Sequence, residues 1–234
     1  MSRQPAQPAL HPSPDLLLDY ATGVADLTGR VVLAAHLGGC AHCREEVEAF
    51  RAPAGDFLRS LPAAPSTPST PSTPSNGDAA GSSRLWEKLK ATIESEPPAR
   101  AREEGLANLG LPLPVAAWAE LGSRKPLSWQ PLRFSPGIRW APVLNDPSTG
   151  SMLVAVQGRT MSAFPAHRHV GPELGVILEG GYEDQTGDYR QGDFFAYEPG
   201  TSHRPWTDLE EGCTSLIRLE SPNRFLGWRR WIFR

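Results

Sequence analysis

Nine side chains in this sequence, six His and three Cys, are soft-metal donors. Most of them fall into two groups. The first is His36-Leu-Gly-Gly-Cys40-Ala-His-Cys43, a His-x3-Cys-x2-Cys run. A Cys-x2-Cys loop presents two thiolates to one ion from a tight turn, and a His four residues earlier lies one helical turn back on the same side. A closed tetrahedral site needs a fourth donor. His11, separated from His36 by 24 residues, is the leading candidate, with Asp15 and His42 as fallback ligands. The alternative is a redox Cys-x2-Cys of thioredoxin type, but no βαβ pattern surrounds the motif. Zn²⁺ is the expected ion. In a small helical unit its binding would supply much of the folding free energy, on the order of 10 kcal/mol in zinc peptides.

The second group is His167-Arg-His169-Val-Gly-Pro-Glu173, with His203 following thirty residues after Glu173 in Pro199-Gly200-Thr-Ser-His203. On a strand His167 and His169 point to one face, because side chains alternate with period two. Glu173 is expected to return from the following turn or strand. Two inward His, a carboxylate and a later His are the ligand set of a cupin, a small double-stranded β-barrel. Glu173-x6-Gly180 and Gly192-Asp193…Gly200-x2-His203 both fit the cupin motifs. Glu198 stands where the second motif usually has Pro, and Met161 where Gly usually precedes the first. Four protein donors on Zn²⁺ complete a closed site, whereas Fe²⁺, Mn²⁺ or Ni²⁺ would keep two octahedral positions open.

The elements that must carry these donors differ along the chain. Residues 12–60 read as helical, with Asp15 and Thr28 as helix-start residues and Gly23 and Gly38-Gly39 as stops. Residues 62–83 repeat Ser-Thr-Pro and can bury nothing, so a solvated, semi-extended loop is expected. Leu85, Trp86, Leu89 and Ile93 share one helical face in a segment too short to be stable alone. Further on, Met152–Val156, Leu174–Leu178, Phe194–Tyr197 and Cys213–Leu219 read as strands, punctuated by turns at Gly180-Gly181, Gly187, Gly192 and Pro199-Gly200. Trp228, Trp231 and Phe233, interleaved with Arg229, Arg230 and Arg234, read as a closing element packed on the barrel rather than a nucleic-acid patch.

At 234 residues the chain is one large domain or two small ones, and the expected division is two. It comprises a helical zinc-binding bundle at 1–95 (with the 62–83 loop inside it), a linker at 96–126 and an all-β metal-binding domain at 127–234. The 24 prolines are about twice average usage and concentrate in the loop and junction. A net charge of −3 argues against direct nucleic-acid binding. The sequence shows neither the apolar stretch of a signal peptide nor an apolar run of about eighteen residues, so a cytoplasmic protein without membrane contact is expected.

His11-Pro-x2-Asp15-Leu-Leu-Leu-Asp-Tyr20-Ala-x-Gly23 followed by Ala35-His36-Leu-x2-Cys40-x2-Cys43-Arg44 resembles the zinc-binding anti-sigma domain of ChrR-type anti-sigma factors. The resemblance spans roughly 11–61 and 84–220, since that family carries a cupin-like domain behind its zinc bundle. It implies zinc held by His11, His36, Cys40 and Cys43, with the Leu85–Ile93 segment as the last bundle helix. It also implies zinc in the second site, held by His167, His169, Glu173 and His203. The implied role is regulatory rather than enzymatic. The bundle would mask a group IV (extracytoplasmic-function) sigma factor, and the cupin would sense singlet oxygen or organic peroxides. The alternative is a cupin metalloenzyme, a dioxygenase or hydrolase with an accessory zinc bundle. No Gly-x-Ser-x-Gly elbow supports a catalytic triad.

Overall fold

The computed structural model describes residues 8–60, 111–121, 126–133, 135–208 and 210–226. The Ser-Thr-Pro loop, the Leu85–Ile93 helix and the C-terminal Trp/Arg segment all lie outside the described residues.

Three helices open the chain: α1 (Pro14–Thr22), α2 (Leu27–Gly39) and α3 (Ala41–Ser60). α1 starts one residue earlier than Asp15 would place it. Ser13 is its N-cap, accepting from the Leu16 N–H, and Pro14 occupies the first turn, where a missing N–H costs nothing. α2 is capped by Asp26 rather than begun at Thr28, its carboxylate accepting from the Gly29 N–H at 2.6 Å. Gly23 and Gly38-Gly39 end α1 and α2 as their positions suggest. Gly38 is further required because a Cβ there would lie 2.4 Å from the Pro114 ring.

Val31, Val32, Leu33, Ala34, Ala35 and Leu37 are all buried, so α2 is apolar on nearly every side. A helix of that kind needs cover all round. α1 and α3 flank it, α4 (Val115–Leu121) lies along it, and β5 and β10 of the sheet take the remaining face. The segment expected as a linker thus contains α4, which packs on α2, with Leu111, Leu113, Ala117 and Leu121 buried. One apolar core runs from Leu17 and Val32 through to Leu153, Val176, Phe194 and Leu216. Polar ties reinforce it. Arg218 of β10 donates to Asp26 at 2.6 Å, and the Thr28 and Ser151 hydroxyls meet at 2.7 Å.

The β region consists of β1 (Gln130–Pro131), β2 (Ile138–Asn145), β3 (Met152–Gly158), β4 (His167–Arg168), β5 (Glu173–Glu183), β6 (Asp188–Arg190), β7 (Phe194–Tyr197), β8 (Ser202–His203), β9 (Trp206–Thr207), β10 (Cys213–Leu219) and β11 (Arg224–Phe225). All pairings are antiparallel, in an eight-stranded sheet ordered β1-β2-β3-β10-β5-β6, with β7 and β9 also on β5, and a separate three-stranded sheet β11-β4-β8. The expected double-stranded barrel is not what forms. Among the described residues no ladder joins β1 to β6, and the sheet stays open. Pro131 in β1 lacks a ladder N–H, a register shift follows Pro142 in β2, and β1, β4, β8, β9 and β11 are only two residues long. Such stubs cannot extend pairing around a closed wall.

Gly180-Gly181, read from sequence as a turn, lies within β5 instead. Gly180 has φ +64° and a Cβ there would sit 2.1 Å from the Gly212 carbonyl, so it is a kink at the bulged β5–β10 ladder. Met161, where a cupin usually has Gly, takes the left-handed conformation at φ 56°.

Candidate metal centres

Both donor groups converge. His11, His36, Cys40 and Cys43 place one donor atom each within 4.8 Å of one another, and so do His167, His169, Glu173 and His203. The fallback residues Asp15 and His42 belong to neither cluster; both are exposed, and His42 faces Glu46 at 3.9 Å.

In the N-terminal cluster, Cys40 is the C-cap of α2 and Cys43 lies in the first turn of α3, so the break between the helices carries both thiols. The Cys43 N–H points to Cys40 Sγ at 3.4 Å, and Arg44 closes the end of α2 by donating to the Leu37 carbonyl at 2.6 Å. His36, one turn back, donates Nδ1–H to the Gly192 carbonyl at 2.8 Å, which leaves Nε2 as a bare lone pair 3.3 Å from Cys43 Sγ. His11 Nδ1 lies 3.4 Å from both sulfurs. His11 is on no helix. Its segment is held because Asp193 accepts from the Ala9 and Leu10 N–H groups at 2.7 and 3.0 Å, while Phe194 N–H donates to the Leu10 carbonyl. Burial lowers His36 to about 4. Burial, with Cys40 beside it, pushes the Cys43 thiol up to about 12. A cation among these donors would reverse the Cys43 shift, since two thiolates and two neutral imidazoles would then face positive charge.

The C-terminal cluster is built across the small sheet. β4 and β8 pair His167 directly opposite His203, with ring centroids 4.4 Å apart. The hydrogen bonds on the far side of each ring settle the tautomers. His167 Nδ1 donates to the Pro165 carbonyl at 2.9 Å, and His203 Nδ1 donates to the Asp184 carboxylate at 2.5 Å. His169 Nδ1 donates to Thr201 Oγ1 at 2.8 Å, whose own proton goes to the Glu198 carbonyl. All three Nε2 atoms are therefore lone pairs. With the rings neutral, two of them, on His167 and His203, face each other at 2.9 Å as lone pairs, and His169 Nε2 is buried without a hydrogen-bond partner. Bare acceptors converging in this way fit a bound cation, which supplies the positive charge they lack.

Glu173, the first residue of β5, brings Oε2 to 3.7 Å from His169 Nε2. All four residues are buried. Burial lowers His167 to about 3 and His169 to about 4, and raises Glu173 to about 7. Tyr197 of β7 stacks on the His169 ring at 4.7 Å and 3°.

Three further residues, whose roles the sequence reading did not assign, support the clusters. Asp184 fixes His203. Burial alone would raise its carboxyl, but hydrogen bonds from His203 and Thr186 outweigh that and hold it well below the usual carboxylate range. Asn223 donates Nδ2–H to Glu173 Oε2 at 2.5 Å. Asp193 anchors the His11 segment. Only Asp193 had a cue, its place in the Gly192-Asp193 cupin motif. The leftover thiol, Cys213, lies on β10, where burial pushes it up to about 12.

The large sheet has two apolar faces. Leu153, Ala155, Val176, Leu178 and Leu216 pack toward α2, while the alternate residues Val154, Val156 and Ile217 line a cavity of about 910 Å³. His167, Glu173 and His203 lie on its wall.

Residues 121–221 match the family described as the ChrR Cupin-like domain. The chain is 27% identical to the Anti-sigma-E factor ChrR of Cereibacter sphaeroides, over 92% of this chain and 91% of the relative. Its fold follows a chain in the crystal structure of Rhodobacter sphaeroides SigE in complex with the anti-sigma ChrR, with a TM-score of 0.61 and 23% identity. That match covers 90% of this chain and 98% of the other, and shows a shared fold.

Proposed function

We propose that this chain, a ChrR-type protein with a C-terminal cupin-like domain, is an anti-sigma factor that sequesters an extracytoplasmic-function sigma factor through its N-terminal helical part. In this reading residues 1–95 form the sigma-binding unit and 127–234 the sensory unit. The N-terminal cluster holds Zn²⁺ through His11, His36, Cys40 and Cys43, and the second cluster holds Zn²⁺ or another divalent ion through His167, His169, Glu173 and His203. Two thiolates and two imidazoles suit tetrahedral Zn²⁺, which there would be structural. The role is regulatory and not catalytic.

The observation that supports this best is the seam between the two clusters. His36 is bonded to the turn before β7, and β7 ends at Tyr197, stacked on His169. The chain's own residues thus connect a sigma-binding unit to a sensing unit over four strand positions. A change at the C-terminal cluster, by oxidation or loss of its ion, would act on sigma affinity by favouring one arrangement of this seam. Among the described residues no helix is long and apolar enough to cross a membrane. A cytoplasmic site of action, where sigma factors meet RNA polymerase, follows from the proposed partner.

The test is co-expression of the full chain with the extracytoplasmic-function sigma factors of its own organism. One should co-elute as a complex and lose promoter activity, and Cys40→Ser with Cys43→Ser should abolish both. Failure of every such sigma factor to bind the zinc-loaded chain would overturn the reading.

A further inference from the structure

We propose that Tyr197 is a positioning residue of the C-terminal cluster, a single side chain that orients both the His169 and the His203 imidazole toward one ion. The proposal rests on the reading of that cluster as an ion site and not on the sigma-binding role.

Tyr197 ends β7 and stands directly opposite Glu173 in the β5–β7 ladder, so the register delivers its side chain to the cluster. Its ring then meets two imidazoles. It lies parallel to His169, 3° apart with 4.7 Å between centroids, and meets His203 at 55° and 4.3 Å. Those two imidazoles are 4.9 Å from each other, so one phenol ring braces both. His169 is bonded through Nδ1 to Thr201 Oγ1. That bond alone would let the ring plane tilt, and the stacked phenol removes the freedom.

The hydroxyl reaches the second imidazole by another route. Asp184 Oδ1 accepts from the Thr186 N–H, the Thr186 hydroxyl and the Gly187 N–H at 2.7, 2.5 and 3.2 Å. Asp184 Oδ2 accepts from His203 Nδ1–H at 2.5 Å and from the Tyr197 O–H at 3.1 Å. A carboxylate crowded by donors on both oxygens only accepts, which turns the Tyr197 proton toward it. The Tyr182 O–H in turn donates to the Tyr197 oxygen at 3.0 Å. Tyr197 thus holds the oxygen that holds His203. Packing alone does not ask for this hydroxyl. Phe194 and Phe195 fill buried positions of the same strand without one, and a buried phenol O–H costs free energy unless it is bonded.

The test compares Tyr197→Phe, which keeps the ring and removes the hydroxyl, with Tyr197→Leu, which removes both. Chelator competition on the full chain loaded with Zn²⁺ should show the ion at the C-terminal cluster held about tenfold more weakly in Tyr197→Phe, and toward about hundredfold in Tyr197→Leu. The ion at the N-terminal cluster should be unchanged. Ring-nitrogen NMR of the histidines, recorded on the metal-free chain, separates the two contacts. Tyr197→Phe should move the His203 Nδ1–H resonance and leave the His169 ring nitrogens in place, whereas Tyr197→Leu should move both. A side chain that merely filled space would give no such split. Tyr197→Phe alone carries both readouts if the melting curve shows that Tyr197→Leu does not fold. Unaltered affinity in Tyr197→Phe, or a His203 resonance that it leaves unmoved, would overturn the proposal. The ring signals need no ion, so they judge Tyr197 apart from the metal reading.

Discussion

His36 and Gly192, 156 positions apart in sequence, are joined by a 2.8 Å hydrogen bond from the His36 Nδ1–H to the Gly192 carbonyl. The same turn continues into Asp193, whose carboxylate gathers the Ala9 and Leu10 N–H groups and so delivers His11. The N-terminal donor set is therefore completed by the β region. Two of its four members are oriented by a turn on the far side of the sequence.

Asp193→Ala should loosen the His11 segment while leaving both thiols and His36 in place. Outer partners of metal-binding side chains typically matter about 10–100-fold in affinity. For the metal-loaded chain, a chelator competition should show the ion at the N-terminal cluster held more weakly by that factor, with the ion at the C-terminal cluster unchanged.

Asp184→Asn should act on the other centre. An amide oxygen accepts a hydrogen bond more weakly than a carboxylate and removes the negative charge that fixes the His203 tautomer. Metal content by elemental analysis after dialysis should fall from two equivalents toward one, the retained ion being the thiolate-bound one, again through a loss of about 10–100-fold.

Asp26 both caps α2 and pairs with Arg218, with each side chain only 12% exposed. Asp26→Ala removes a cap worth about 1 kcal/mol and leaves a largely buried guanidinium with Glu220, 3.7 Å away, as its remaining ion-pair partner. A total loss of about 3 kcal/mol is expected in urea unfolding of the metal-loaded chain. Replacing both partners by apolar residues, Asp26→Ala with Arg218→Met, should cost less than Asp26→Ala alone.

The metal-free chain should lose stability on acidification. His36, His167 and His169 are held neutral by burial at about 4, 3 and 4, below the ordinary imidazole value of 6.5. Between pH 6.5 and 4 the unfolded chain binds protons that the folded chain refuses, so stability falls with pH, by about 1.4 kcal/mol per unit for each imidazole. Glu173 opposes them. With its value raised to about 7 from 4.5, it favours the folded state at low pH and costs stability as pH rises through that window. Three groups outweigh one, and the melting temperature of chelator-treated protein should drop steadily from pH 6.5 to 4. A flat profile there would contradict the burial assigned to these rings.

Much of the site was legible because its spacing is local. Cys40 and Cys43 fall three apart around a helix break, with His36 one turn earlier. His167 and His203 needed only a strand and a later turn to meet. The strands from Met152, Leu174, Phe194 and Cys213 could be read from their apolar runs, as could the stops at Gly23 and Gly38-Gly39. The start residues were less certain, because Ser13, Asp26 and their neighbours are all chemically able to cap, and packing chooses among them. Gly180-Gly181 resembled a turn for a similar reason: the same φ > 0 that closes a turn also kinks a strand.

By itself the sequence determined which donors exist, which of them are neighbours within a turn or a strand, and hence the two kinds of metal chemistry available. Tertiary structure alone decided that the sheet stays open, because closure depends on ladders between distant strands that proline and two-residue stubs interrupt. It also decided that α2 is covered by β5 and β10, and that Asp184, Asp193 and Asn223 stand behind the clusters. A lone Asp or Asn carries no periodic pattern, and its role arises only when residues far apart in the chain are brought to hydrogen-bond distance.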